Sequence, residues 1–436
     1  MKPYQLGLVQ TRDAVREGEL SPLDVVTSVV DHLDATEPRL KAWEHLDVEG
    51  ALAAARALEA KTSDGLPLRG VVAGLKDVFH VAGMPTRAGF EPYRGRVARQ
   101  DSAAATALRH AGAVILGKTV ATQLAVGSEC PVSVNPWAAD CTPGGSSSGS
   151  AVAVGAWQVP LALGTQTGGS LLRPAGYCGA VAFKPSYGRI SRDGVLPVSW
   201  SLDHVGVITR CVRDAAVAAG VLAAEDFEPR RTEAPELAVL TDLLALCDPH
   251  VREATERALA LLESAGACLR EVSLPVPMAR LQAMAWVIRT AELGAVHAPL
   301  HERFPEAYEH GPRTSVEAGQ ILPAWAYVEA LRQREVTRPA IAGLFTGIDA
   351  VVAPTGPDVP PPRASGTGRP DFQTIWSVHG LPNISLPCGL SEQGYPNAIQ
   401  LVGAAREERR LLGAAEWCEG VLGSLPEPNT MRFGPA

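Results

Sequence analysis

Two clusters of serine and glycine, residues 144–150 (GGSSSGS) and 168–170 (GGS), are the part of this 436-residue chain best suited to chemistry. A serine hydroxyl is a weak nucleophile that needs a base. Glycine lets a backbone come close enough to a ligand for its N–H groups to reach it. The segment between the clusters is too apolar for a flexible linker, so the pair reads as a serine site built mostly from main chain. Lys76 supplies a base. It ends the apolar run Val72-Ala73-Gly74-Leu75, and a buried lysine sheds its proton because desolvation disfavours the charge. Alone, Lys76 reads as a surface lysine after an edge strand. Together with the serine clusters it reads as a base.

Other matches carry less. Gly112 to Thr119 fits G-x-x-x-x-G-K-[ST], yet a helix precedes Gly112 and the variable positions are Ala-Val-Ile-Leu. A phosphate loop needs a strand before its first glycine and a turn that wraps phosphate; this stretch reads as a buried strand. Gly145-Ser146-Ser147-Ser148-Gly149 fits G-x-S-x-G, but Pro143 keeps the preceding residues from being a central strand. His204 and His379 are the histidines that such a triad would use. His297 and His301 are spaced i, i+4 without the glutamate of a zinc motif, so they read as a solvated helix face. His80 reads as packed near the site.

The elements that position these residues alternate. Ser21-Pro22-Leu23-Asp24 is a helix start, before Val25, Val26, Val29, Val30 and Leu33 at helical spacing. A second helix is expected over Val48–Lys61. From Gly70 short strands alternate with helices: strand 71–75, helix 102–110, strand 113–116, helix 151–156, strand 159–163. Residues 224–236 read as a polar surface connection, 237–240 as a strand and 248–265 as a helix. Residues 276–345 read as helical and 356–371 as a Pro/Gly-rich loop of the length typical of lids. Strands over 383–386 and 398–402 and a helix over 407–422 close the chain. This alternation predicts an α/β architecture around a largely buried sheet.

Composition narrows the function. Lys and Arg number 39 against 47 Asp and Glu, a net charge of −8, which gives no reason to expect nucleic acid or an anionic membrane surface. The N-terminus lacks the pattern of a signal peptide, and no apolar run approaches the ~18 residues of a membrane span. Eight scattered cysteines form no CxxC pair, which points to a reducing, cytoplasmic setting without a metal site.

Several ordered stretches resemble the amidase signature family: GLKDVFHVAGMPTRAG (74–89), NPW with PGGSSSGSAVAVGA (within 135–156), LALGTQTGGSLLRPAGYCGAVAFKPSYGRISRDG (161–194), SLDHVGVITRCVRDAA (201–216), HGLPNISLPCGL (379–390) and YPNAIQLVG (395–403). The resemblance covers roughly residues 20–420. It implies one α/β domain over 1–436, a twisted mixed sheet covered by helices on both sides. Its parts are an N-terminal helical layer (1–62), the signature core (63–220), a variable helical substrate side (221–350) and a C-terminal return to the sheet (351–436). It also implies roles: Ser170 as nucleophile, Ser146 as bridging serine after a cis peptide, Lys76 as ultimate base. Thr167, Gly168, Gly169 and Ser170 then offer consecutive N–H groups to an oxyanion. No metal or cofactor is required.

The chain departs from the family pattern at Gln166 and Leu172, where many members carry Asp and Arg, and at Val120, Gln123 and Ser148. The paired loss of Asp and Arg reads as a charge pair made neutral, with Arg173 as a partial substitute. The expected function is hydrolysis of a small-molecule carboxamide to carboxylate plus amine or ammonia. One alternative is the glutaminase component of a tRNA-dependent amidotransferase, working with a partner protein. Another is a non-catalytic binding protein on the same scaffold. A pocket is expected from Gly127, Ser128, Trp376, Val378 and the helical 276–345 region, and a homodimer is open by analogy alone.

Overall fold

Among residues 1–60, 65–230 and 233–432, which the computed structural model describes, eleven strands form one sheet. In chain order they are β1 (Trp43–Leu46), β2 (Val72–Lys76), β3 (Val114–Thr119), β4 (Leu161–Gln166), β5 (Val181–Lys184), β6 (His204–Thr209), β7 (Glu236–Leu240), β8 (Cys268–Val272), β9 (Ala350–Pro354), β10 (Asn383–Leu390) and β11 (Pro396–Val402). Their spatial order is β1-β3-β2-β4-β6-β5-β10-β11-β9-β7-β8. β3, β2 and β4 run parallel, as do β9, β7 and β8. The remaining pairs are antiparallel. The sheet is therefore mixed, and the α/β expectation holds.

Strand periodicity explains how this sheet is covered. Successive side chains point to opposite faces. Ala73, Ile115, Leu161, Leu163, Phe183, Val207, Val352 and Leu401 join one apolar cluster on one face. Their neighbours Val72, Val114, Leu116, Ala162, Ala182 and Ile208 join a second cluster, and Ala238, Leu240, Val351 and Ala353 a third. The second and third clusters share the opposite face, so helices are needed on both sides. The helix Pro22–Leu40 serves the second cluster. It starts with the expected reciprocal cap: Ser21 Oγ accepts from Asp24 N, and Ser21 N donates to the Asp24 carboxylate. The helices Met278–Arg303 and Ala324–Gly343 serve the third.

Most expected elements occur with shifted ends. Strand 71–75 is β2 and strand 113–116 is β3, while helix 151–156 starts earlier, as Ser148–Gly155. The second N-terminal helix is Val48–Glu59; its expected last residue, Lys61, lies outside the described residues. β1, β5, β6, β8 and β9 were not expected as strands. β5, β6 and β9 are buried at every position, and short apolar runs carry no alternation to distinguish them. No helix among the described residues is long and apolar enough to cross a membrane.

Two features aim the sheet at one place. β2 and β4 are parallel neighbours, with Leu75 opposite Leu163, so Lys76 and the loop after Gln166 emerge at the same end. The carboxyl ends of parallel strands are where ligands bind in open α/β sheets. The helix Ser148–Gly155 begins at that end too. Only glycine fits at 149, because a Cβ there would overlap the Ala42 carbonyl and the Val120 amide.

Candidate active site

Lys76 is fully buried at the end of β2. Its Nζ lies 2.7 Å from Ser146 Oγ and 2.8 Å from Thr165 Oγ1. Burial lowers its pKa to about 7, against a partial counter-pull from the Asp203 carboxylate. A lysine at that value is largely neutral just above neutrality and can take a proton from a hydroxyl. Thr165 is a site residue that sequence reasoning missed; its place four residues before Gly169, at the end of an apolar strand, was the available signal.

The Gly145–Ser146 peptide is cis. Both of its flanking carbonyls are held. Gly145 O accepts from Arg173 Nη2 at 2.6 Å, and Ser146 O accepts from Thr122 N at 3.2 Å. The next residue, Ser147, ties the two serine clusters together, since its N–H donates to Ser170 O at 3.1 Å. Ser147 Oγ is buried against the Thr165 backbone. It is therefore structural, and neither His204 nor His379 serves it: His204 Nδ1 bonds to Leu202 O, and His379 contacts Thr337 and Ile375.

Ser170 follows a loop held from three sides. Thr167 Oγ1 donates to Asp203 at 2.6 Å, and Asp203 is fixed by the N–H groups of Val198 and Ser199. Gln166 Oε1 accepts from Leu171 N and Leu172 N, both at 3.1 Å. Gln166 Nε2 donates to Ser377 Oγ, which donates to Gly168 O. The N–H groups of Gly168, Gly169 and Ser170 find no protein acceptor among the described residues and border the cavity, the arrangement an oxyanion needs. Gln166 thus replaces a charged residue with an amide whose two ends order the loop. Arg173 does not substitute for the missing charge pair, because its donors go to Gly145, Gly368 and Thr367. Leu172 is fully buried in the second apolar cluster. Gln166→Leu leaves two buried N–H groups unpaired and is expected to cost roughly 2–5 kcal/mol. Urea unfolding reads this, and Gln166→Glu, which keeps the acceptor, should lose less.

A cavity of about 370 Å³ opens over Ser146 and Ser170. Gly127 and Ser128 line it as expected, with Trp286 and Arg289 from the helix Met278–Arg303 and Thr367 to Asp371 from the Pro/Gly loop. Trp376 and Val378 do not. Both are buried in the third apolar cluster. On the helix Asp371–Ser377, Asp371 and Thr374 (i, i+3) face the cavity, which turns Phe372, Ile375 and Trp376 inward.

The remaining motifs are structural. Lys118 of the apparent phosphate loop lies within β3 and is buried in an ion pair with Asp77 at 2.8 Å. His297 is buried and contacts Tyr308, and His301 packs edge-on to the same ring. The solvated face expected for these two is not found, because Tyr308 covers it.

Comparison with known proteins agrees with this geometry. The sequence model of the family described as Amidase matches residues 24–412. The chain is 33% identical to the glutaminase component (the A protein) of the glutamyl-tRNA(Gln) amidotransferase of Roseiflexus castenholzii, covering 94% of each chain. A crystal structure described as an amidase superimposes with a TM-score of 0.90 at 33% identity, over 96% of this chain and 100% of the other. The peptide amidase of Stenotrophomonas maltophilia superimposes with a TM-score of 0.83 at 27% identity, over 99% and 100%. The chain belongs to the amidase signature family of amide-cleaving enzymes.

Proposed function

We propose that this enzyme cleaves the C–N bond of a carboxamide through an acyl intermediate on Ser170, with Ser146 and Lys76 relaying protons. The observation that carries the reading is the buried Lys76, lowered to about 7, with its Nζ 2.7 Å from Ser146 Oγ. Neutral Lys76 takes the Ser146 proton as Ser146 takes that of Ser170, and Ser170 Oγ attacks the amide carbon. The N–H groups along Thr167–Ser170 receive the oxyanion. The protons return along the relay to the leaving nitrogen, the C–N bond breaks, and water hydrolyses the ester.

The names of the curated relatives support the amidotransferase setting better than a stand-alone amidase. In that setting the amide is the side chain of glutamine and the ammonia passes to another reaction in a complex. A stand-alone amidase is the second reading. It is supported by the neutral Gln166 and Leu172 and by equal identity, 33%, to a solved amidase.

Treatment with a serine-reactive phosphonate, followed by peptide mass spectrometry, tests the mechanism. The adduct is expected on Ser170. An adduct elsewhere overturns the assignment, and no adduct favours the non-catalytic alternative. Ammonia release from glutamine that depends on the other proteins of an amidotransferase would select the first setting. Efficient turnover of unrelated amides by the chain alone would select the second.

A further inference from the structure

Three charged side chains border the cavity over Ser146 and Ser170, and two are already matched. Arg173 donates to the Gly145 and Gly368 carbonyls and to Thr367 Oγ1. Asp371 accepts from Arg369 at 2.9 and 3.0 Å. Arg289 has neither hydrogen bond nor ion pair among the described residues, and its Nε is buried with no acceptor. Glu292, one turn further along the same helix, is not available to it. The Glu292 oxygens accept from Ser199, Ser201 and Tyr327.

The placement of Arg289 is built into the helix. Met278–Arg303 presents Gln282, Ala285, Trp286 and Arg289 to the cavity, the i, i+3, i+4, i+7 stripe of one helical face. Ala285 on the same stripe and Val198 and Leu202 from the opposite wall make the surroundings partly apolar. Burial lowers the guanidinium pKa, and no carboxylate pulls it back. A cation held in a partly dry cavity without a protein partner is costly unless a ligand completes it. The planar guanidinium fork matches a carboxylate through two parallel hydrogen bonds.

We propose that Arg289 binds a carboxylate on the acyl side of the substrate, so that the enzyme acts on small carboxamides bearing a free carboxylate. This substrate class rests on the acyl-Ser170 reading. It covers both the half-amides of dicarboxylic acids and glutamine, which share the anionic group. Arg289 is a specificity residue that touches substrate and takes no part in proton transfer.

The test compares malonamate, succinamate and glutaramate with the uncharged amides propionamide, butyramide and valeramide, and with glutamine, on wild-type enzyme and Arg289→Gln. Wild type is expected to prefer the anionic amide of the best chain length. Arg289→Gln is expected to lose roughly 100-fold in kcat/KM on that amide, mostly through KM, and to leave uncharged amides within threefold. Arg289→Lys, with charge but no fork, should fall between. Equal losses on charged and uncharged amides, or an unchanged preference, overturn the proposal. Glutamine cleaved in preference to glutaramate, with the same dependence on Arg289, supports it and identifies the amino acid as the source of the carboxylate. Calorimetric titration of succinate and glutarate into both proteins gives a readout without turnover. Binding that Arg289→Gln abolishes, with no amide cleaved, keeps the Arg289 assignment and sinks the acyl-Ser170 reading. Dicarboxylates that bind both proteins equally, or neither, overturn the assignment.

Discussion

Ser170→Ala is expected to lower kcat/KM for amide cleavage by about 10,000-fold or more while leaving the fold intact. The hydroxyl of Ser170 borders the cavity on a half-buried residue, so its loss opens little apolar volume. The backbone of Ser170 does the structural work: its carbonyl accepts from Ser147 N, and its N–H faces the cavity. Alanine keeps both. Unfolding in urea should therefore shift by no more than about 0.5 kcal/mol, as for a substitution that breaks no buried contact. Full activity in Ser170→Ala would end the acyl-enzyme mechanism. Because the relay works as a unit, Ser146→Ala added to Ser170→Ala should cost little more than either alone.

Lys76→Met is expected to lower kcat/KM by about 1,000-fold or more and to remove the acid-side fall of the pH profile. With Lys76 lowered to about 7, the wild type should gain activity as pH rises through about 7 and the amine loses its proton. The stability effect has a definite sign. In the unfolded chain the lysine returns to the ordinary lysine range, so between about 7 and that range the unfolded state binds the extra proton and this group makes stability rise with pH. Below about 7 both states are protonated, and the folded state carries a buried cation. Lys76→Met removes that cost, so the variant should gain on wild type most at pH 6 and least at pH 9, even though it is inactive. Urea unfolding at the two pH values measures the difference. Lys184 is also lowered to about 7, but it donates to Leu381 O away from the cavity, and it contributes equally to both proteins. An unchanged pH–activity profile in a still-active Lys76→Met would show that another group is the base.

Some of the site was legible because the chemistry is local. The Ser/Gly clusters and the apolar run into Lys76 are contiguous, and glycine at 168 and 169 announces a loop that turns its N–H groups to a ligand. The pocket was less so. Trp376 lies near the site in sequence, yet the helical period turns it into the third apolar cluster, while Trp286, some ninety residues earlier, borders the cavity. His297 reads as solvated from its spacing, but Tyr308 covers it. In each case the deciding contact comes from a distant segment.

The sequence by itself determined the α/β class, the strand that ends at Lys76, and the residue types for a serine site with a lysine base. Local periodicity and backbone preference decide these, and both are written in short windows. Only the tertiary structure decided the rest. The parallel register of β2 and β4 brings Lys76 to Ser146 and Thr165, seventy and eighty-nine residues away. Burial then lowers the lysine pKa, which no window of sequence can do, because desolvation is the work of all the neighbours at once. The same holds for Arg289. Its significance is the absence of a partner, and a missing contact exists only once every other side chain has been placed.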